Sequence, residues 1–211
     1  FRAFPRWWYS PNVQEIQYCQ SGGVSYGIAK EILNKGGIVY GCVYENNVAT
    51  HVRISKMVEL RSSCGSKYVQ SDLKDVYREI YNDLRERKTV LFTGTSCYVE
   101  GLYLYLEKKA CSVEQLYTAD IICHGVPSPL ILADFIKYVE KNNNSKVKCI
   151  NLRNRKYAPK LISTIQFQNG VNMTDVNYLD LFYTNLTIRD SCFQCQFTTR
   201  NKPADITMAD T

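Results

Sequence analysis

Two segments in the middle of the chain constrain its fold more than any others: TVLFTGT (89–95) and LYTADIIC (116–123). Each is a short apolar run of strand length, each leads into a loop, and each is followed by a helical stretch, YVEGLYLYL and LILADFIKYVEK. Strands and helices that alternate in this way build an α/β sheet. Ligands of such sheets gather at the carboxyl ends of the strands, which directs attention to the loops TGTSC and CHGVPSP.

The flanks extend the pattern. VSYGIAKEILNKGG places Ile28, Ile32 and Leu33 on one helical face and ends at Gly36-Gly37. IVYGCVY and THVRI flank Glu45-Asn46-Asn47 as the arms of a hairpin. SDLKDVYREIYNDLRERK spaces Leu73, Val76, Tyr77, Ile80 and Leu84 for one helical face, with Ser71 or Asp72 as its N-cap. After residue 147, VKCINLR and LISTIQF are strand-like, Asn169-Gly170 is a hairpin turn, and YLDLFYTNL is helical. The expected fold class is α/β, mixed α+β in detail: a mixed β-sheet flanked by helices, with a cysteine-containing loop region near the C-terminus. Residues 1–17 form a leader or linker and 18–211 a single domain, with no repeat or low-complexity linker to divide it.

Composition excludes several classes. At 45% hydrophobic and 22% charged residues the chain is too apolar to be disordered. No apolar run approaches membrane-span length and the start lacks a signal-peptide core, so a cytoplasmic location is expected. The net charge of +6 is spread among acids without a basic block, which argues against a nucleic-acid arm. That excess suits an anionic cofactor and equally a solvated surface. Absence of an initiating Met and an end at ITMADT lead us to expect a piece of a longer product.

Nine cysteines are many for 211 residues, and their odd number and wide spacing do not resemble a secreted disulfide scaffold. Cys192 and Cys195 form a C-x-x-C in a polar loop, a spacing that presents two thiolates to one metal or cluster, or an unligated redox pair. Cys97 and Cys123 are the natural supplements, each in a loop just after a buried strand, and Cys97 falls at the start of a helix. Ser21-Gly22-Gly23 and Gly65-Ser66-Lys67-Tyr68 have the composition of phosphate cradles ahead of helices, although neither matches a P-loop or a dinucleotide fingerprint. Of the two histidines, His51 is read as structural and His124, beside Cys123 and a glycine, as a candidate proton donor or cofactor partner.

SGG before a helix, GSKYVQSDL, VLFTGTSC, DIICHGVPSP, the SC-x-x-C step and the terminal DIT occur in this order. In these motifs the chain resembles the coenzyme F420 hydrogenase/dehydrogenase beta-subunit family from about residue 18 to 210. The resemblance implies an oxidoreductase with FAD and a 4Fe-4S cluster, passing electrons between cluster, flavin and a hydride-accepting small molecule such as coenzyme F420. It implies Cys97, Cys123, Cys192 and Cys195 as cluster ligands. Ser21, Gly22, Gly23, Ser66 and Lys67, with Thr93, Gly94 and Thr95, would line the flavin and its pyrophosphate; the candidate catalytic residue is His124, on the reading of its own loop. A ferredoxin-like module or subunit would be the electron-transfer partner. Two other readings stay open: a cofactor-poor scaffold module of polysaccharide biosynthesis, and a structural zinc domain.

Overall fold

A tight hairpin opens the larger sheet. Strands β1 (Ile38–Glu45) and β2 (Val48–Ile54) pair antiparallel from Val39↔Ile54 to Glu45↔Val48, and the two residues between them, Asn46 and Asn47, both take positive φ. That is the two-residue turn whose twist matches the strands, and asparagine tolerates it. Parallel strands β3 (Val90–Thr95) and β4 (Leu116–Ile121) add to β1, and the short final strand β8 (Ile206–Met208) completes the order β2-β1-β3-β4-β8. A second, antiparallel sheet is built from β5 (Val147–Asn151), β6 (Ser163–Phe167) and β7 (Asn172–Asp175). These elements come from a computed structural model, which describes residues 19–20, 23–158, 160–198 and 201–209. The aromatic leader, Ser21 and Gly22 lie outside the described residues.

Continuous apolar strands are explained by burial on both sheet faces. Val39 and Leu91 point to one side and pack on Ala29 and Leu33 of α1 (Val24–Asn34) and on Leu60 of the one-turn helix α2 (Met57–Leu60). Their neighbours Ile38, Tyr40, Val90 and Phe92 point to the other side, where they meet α3 (Val76–Arg85) and α4 (Ser96–Lys108) through Ile80, Leu84, Leu102 and Leu106. Successive residues thus fill opposite cores, as parallel strands covered on both faces require. A third cluster joins the sheets: Ile165 and Phe167 of β6 pack with Leu132 and Val139 of α5 (Pro129–Asn143), with Tyr178 and Leu179 of α6 (Asn177–Tyr183), and with Val69 and Ala49.

A polar knot pins the hairpin to α3. Buried Asp83 accepts from Tyr40 Oη at 2.8 Å, from Arg53 Nε and Nη2 at 2.8 and 3.1 Å, and from Lys88 Nζ at 3.0 Å. Burial alone pushes its carboxyl upward, but these donors outweigh it and hold the group below the usual carboxylate range.

The expected elements are present, with one helix start displaced. Ser71 and Asp72 do not cap α3, which begins at Val76 after Asp75. Asp72 instead extends the edge of the sheet: its N–H donates to Ala49 O and its carbonyl accepts from His51 N, both at 2.8 Å. The backbone bonds available at the β2 edge outcompete an N-cap, so Gly65–Tyr68 precedes an extended segment and is no helix-starting turn.

Candidate functional site

Four cysteines are carried to one end of the larger sheet by separate elements. Cys97 lies in the first turn of α4, directly after β3, and Thr95 Oγ1 is 3.2 Å from its Sγ. Cys123 follows β4 and its sulfur accepts from Gly125 N at 3.3 Å. Cys192 sits in the short helix α7 (Asp190–Phe193), whose backbone closes onto Arg189, while Cys195 N donates to Cys192 O at 3.3 Å. The Cys123 thiol is pushed up first by burial and then by Cys97, Cys192 and Cys195, so all four sulfurs lie within electrostatic reach. Among the described residues no three His, Cys, Asp or Glu side chains stand as a ready ligand set for one metal ion.

Gly125 makes this convergence possible. Its φ of +127° is a glycine conformation, and a Cβ there would stand 2.6 Å from Ile188 Cγ2 and 3.4 Å from Cys192 Cβ. The close approach is secured by a bridge between Pro127 and Ile188 and by Arg189 N donating to Val126 O at 3.1 Å. In the same loop His124 packs against the rings of Phe182 and Tyr183, and its Nε2 donates to Asn185 Oδ1 at 2.6 Å.

A cavity of about 750 Å³ opens between the Gly65–Lys67 loop and the segment after β5. Ser66 and Lys67 line it, together with Arg153, Arg155 and Lys156. Its size is that of a small-molecule site and its charge suits an anion. Lys67 is half-buried, and its Nζ donates to the carbonyls of Ser63 and Cys64, both at 2.9 Å. Thr93, Gly94 and Thr95 end β3 and do not line this cavity. Gly23 is the N-cap of α1, with φ 79°.

One family model, that of the C-terminal region of the coenzyme F420 hydrogenase/dehydrogenase beta subunit, matches residues 87–211. The chain belongs to this family. The match covers α4, β4 and all four of the cysteines in question, so the beta-subunit assignment rests on the half of the chain that carries them. Among solved structures this beta-subunit family member resembles a chain of the F420-reducing [NiFe] hydrogenase complex from Methanosarcina barkeri, with a TM-score of 0.57 at 15% identity. The likeness covers 89% of this chain and 63% of that one, and at such identity it is a likeness of fold. No curated protein sequence matches the chain.

Two further polar groups of this family member complete the strand ends. Asp120 is wholly buried at the end of β4, where Ser96 Oγ donates to its Oδ2 at 2.5 Å and its Oδ1 has no partner among the described residues. Asp120 opens the DIICHGVPSP motif, but nothing in that motif marks it as a buried carboxylate. His51 is structural, as expected: Nε2 donates to Thr93 O and Nδ1 accepts from Ser71 Oγ, each at 3.0 Å, and the ring stacks on Phe92.

Burial drives the His51 pKa down from 6.5 to about 4; the Thr93 bond opposes this and the Lys67 charge adds to it. Between those pH values the unfolded chain binds a proton that the folded chain refuses. The His51 contribution is therefore complete above pH 6.5 and is lost as pH falls toward 4, by about 3 kcal/mol in all. Urea denaturation at about pH 7.5 and about pH 4.5 should show this loss in the wild type, and a His51→Gln variant should lose less by that amount.

Proposed function

We propose that the chain is the flavin- and cluster-binding part of an oxidoreductase that moves electrons between a 4Fe-4S cluster, FAD and a hydride-accepting small molecule, coenzyme F420 or another reducible compound. One observation carries the reading: four cysteines from α4, the β4 loop and the C-x-x-C segment converge at the carboxyl end of the parallel strands, in a fold that also holds a basic cavity. Cys97, Cys123, Cys192 and Cys195 would hold the cluster. Four thiolates are the ligand set such clusters take.

The cavity fits FAD through its charge. Lys67, Arg155 and Lys156 would face the pyrophosphate and Ser66 would supply a small polar wall, while Gly23, Thr93, Gly94 and Thr95 are not among the residues that line this cavity. Bound in these places, the flavin supplies hydride transfer and the cluster single-electron transfer. His124 would hold or release a proton at Nε2, the atom now bonded to Asn185. A ferredoxin-like module or subunit is the electron partner this reading requires.

FAD binding tests the cavity assignment. Arg155→Ala with Lys156→Ala removes two cations, each worth about 1.5 kcal/mol or more toward a phosphate group. Flavin affinity, followed by fluorescence quenching, should fall by about a hundredfold. Unchanged affinity would place the flavin elsewhere.

A further inference from the structure

Two other cysteines lie against each other away from the four described above. Cys19, at the entry to α1, and Cys64, just before Gly65, have their sulfurs 3.0 Å apart, about 1 Å beyond a disulfide bond. Cys19 is buried, whereas Cys64 lines the basic cavity. The half-buried Lys67 ammonium sits beside them, bonded to the Cys64 carbonyl. Burial lowers the Lys67 pKa, and the groups that offset this are the sulfurs of Cys42, Cys64 and Cys19. The bond to Cys19, then Lys67 and Arg61, work against burial and hold the Cys64 thiol below its ordinary range. The third thiol, Cys42, is driven the other way, chiefly by burial.

We propose that Cys19 and Cys64 form a redox-active dithiol that exchanges with anionic low-molecular-weight disulfides entering through the basic cavity. Cys64 is the attacking sulfur, because it is the one the cavity reaches. Its thiolate attacks one sulfur of the small disulfide, the sulfur–sulfur bond of that molecule breaks, and one small thiolate leaves. Cys19 loses its proton to solvent and attacks Cys64 Sγ, which expels the second small thiolate. The chain gives up two electrons and ends with a Cys19–Cys64 bond; the small disulfide gains them and ends as two thiols. The new bond ties the entry of α1 to the Gly65–Lys67 loop, so two walls of the cavity become one covalent unit. The site stands whatever the ligand of the cavity is.

Oxidised glutathione is a suitable probe on the anaerobically reduced full chain, with acid quenching, alkylation and tryptic mapping. Cys19, Cys42 and Cys64 fall in separate peptides, 7–30, 36–53 and 62–67. The expected product links 7–30 to 62–67 and leaves Cys42 alkylated as a free thiol. Cys19→Ser should stop at a glutathione adduct on Cys64. In the wild type, which needs no folding control, glutathione disulfide should react about tenfold faster at low salt than uncharged hydroxyethyl disulfide, with the gap closing at high salt. A reduced Cys64 under conditions that oxidise other thiols, a Cys42–Cys64 product, or equal rates for the two probes at low salt would overturn the proposal.

Discussion

Cys123→Ser should lose iron incorporation by more than about tenfold while the protein keeps its fold. Removing a cluster ligand costs more than the roughly 10- to 100-fold affinity loss associated with removing a ligand's supporting partner. Serine keeps an acceptor for the Gly125 N–H, and Cys123 as a residue is exposed, so little packing is lost. The stability change should stay within about 0.5 kcal/mol. Iron and acid-labile sulfide after anaerobic reconstitution, read beside a thermal melt, separate the two effects. Cys149→Ser, at an exposed position of β5, is the control and should incorporate iron as the wild type does. Equal iron in the Cys123 and Cys149 variants would remove Cys123 from the ligand set.

Asp83→Ala is expected to cost about 2 to 3 kcal/mol, the penalty for leaving a buried hydrogen-bonding group without its partner. The substitution strands Tyr40 Oη inside the core and leaves Arg53 and Lys88 without the carboxylate that both contact. Tyr40 is fully buried and its hydroxyl is pushed far up, first by burial and then by Asp83, so it has no charged state to fall back on. Urea unfolding at neutral pH measures the loss. A cost below about 1 kcal/mol would mean that solvent reaches Tyr40 once the carboxylate is gone.

The architecture is legible where the periodicity is strong. VLF and the Tyr40 strand are apolar on consecutive positions because both sheet faces are covered, and the Asn46-Asn47 and Asn169-Gly170 turns carry their own chemistry. The start of α3 is not legible, because a local capping signal at Ser71 and Asp72 loses to backbone pairing with Ala49 and His51 of β2. Those partners lie some twenty residues back along the chain, beyond the reach of any local window.

Site residues divide in the same way. Cys97 and Cys123 stand out because loops after buried strands collect function. Arg153, Arg155 and Lys156 are harder to see in the sequence, since nothing local says that β5 brings them across from Lys67. The Cys19–Cys64 contact joins residues 45 positions apart and has no spacing signal at all.

Cofactor stoichiometry of the wild-type chain tests the central claim most directly. After anaerobic reconstitution with iron, sulfide and FAD and removal of the excess, the account predicts about four irons and four sulfides per chain, the content of one cubane cluster, together with bound flavin and a broad visible band. A colourless protein that retains zinc on its thiolates, or neither iron nor flavin, would contradict it.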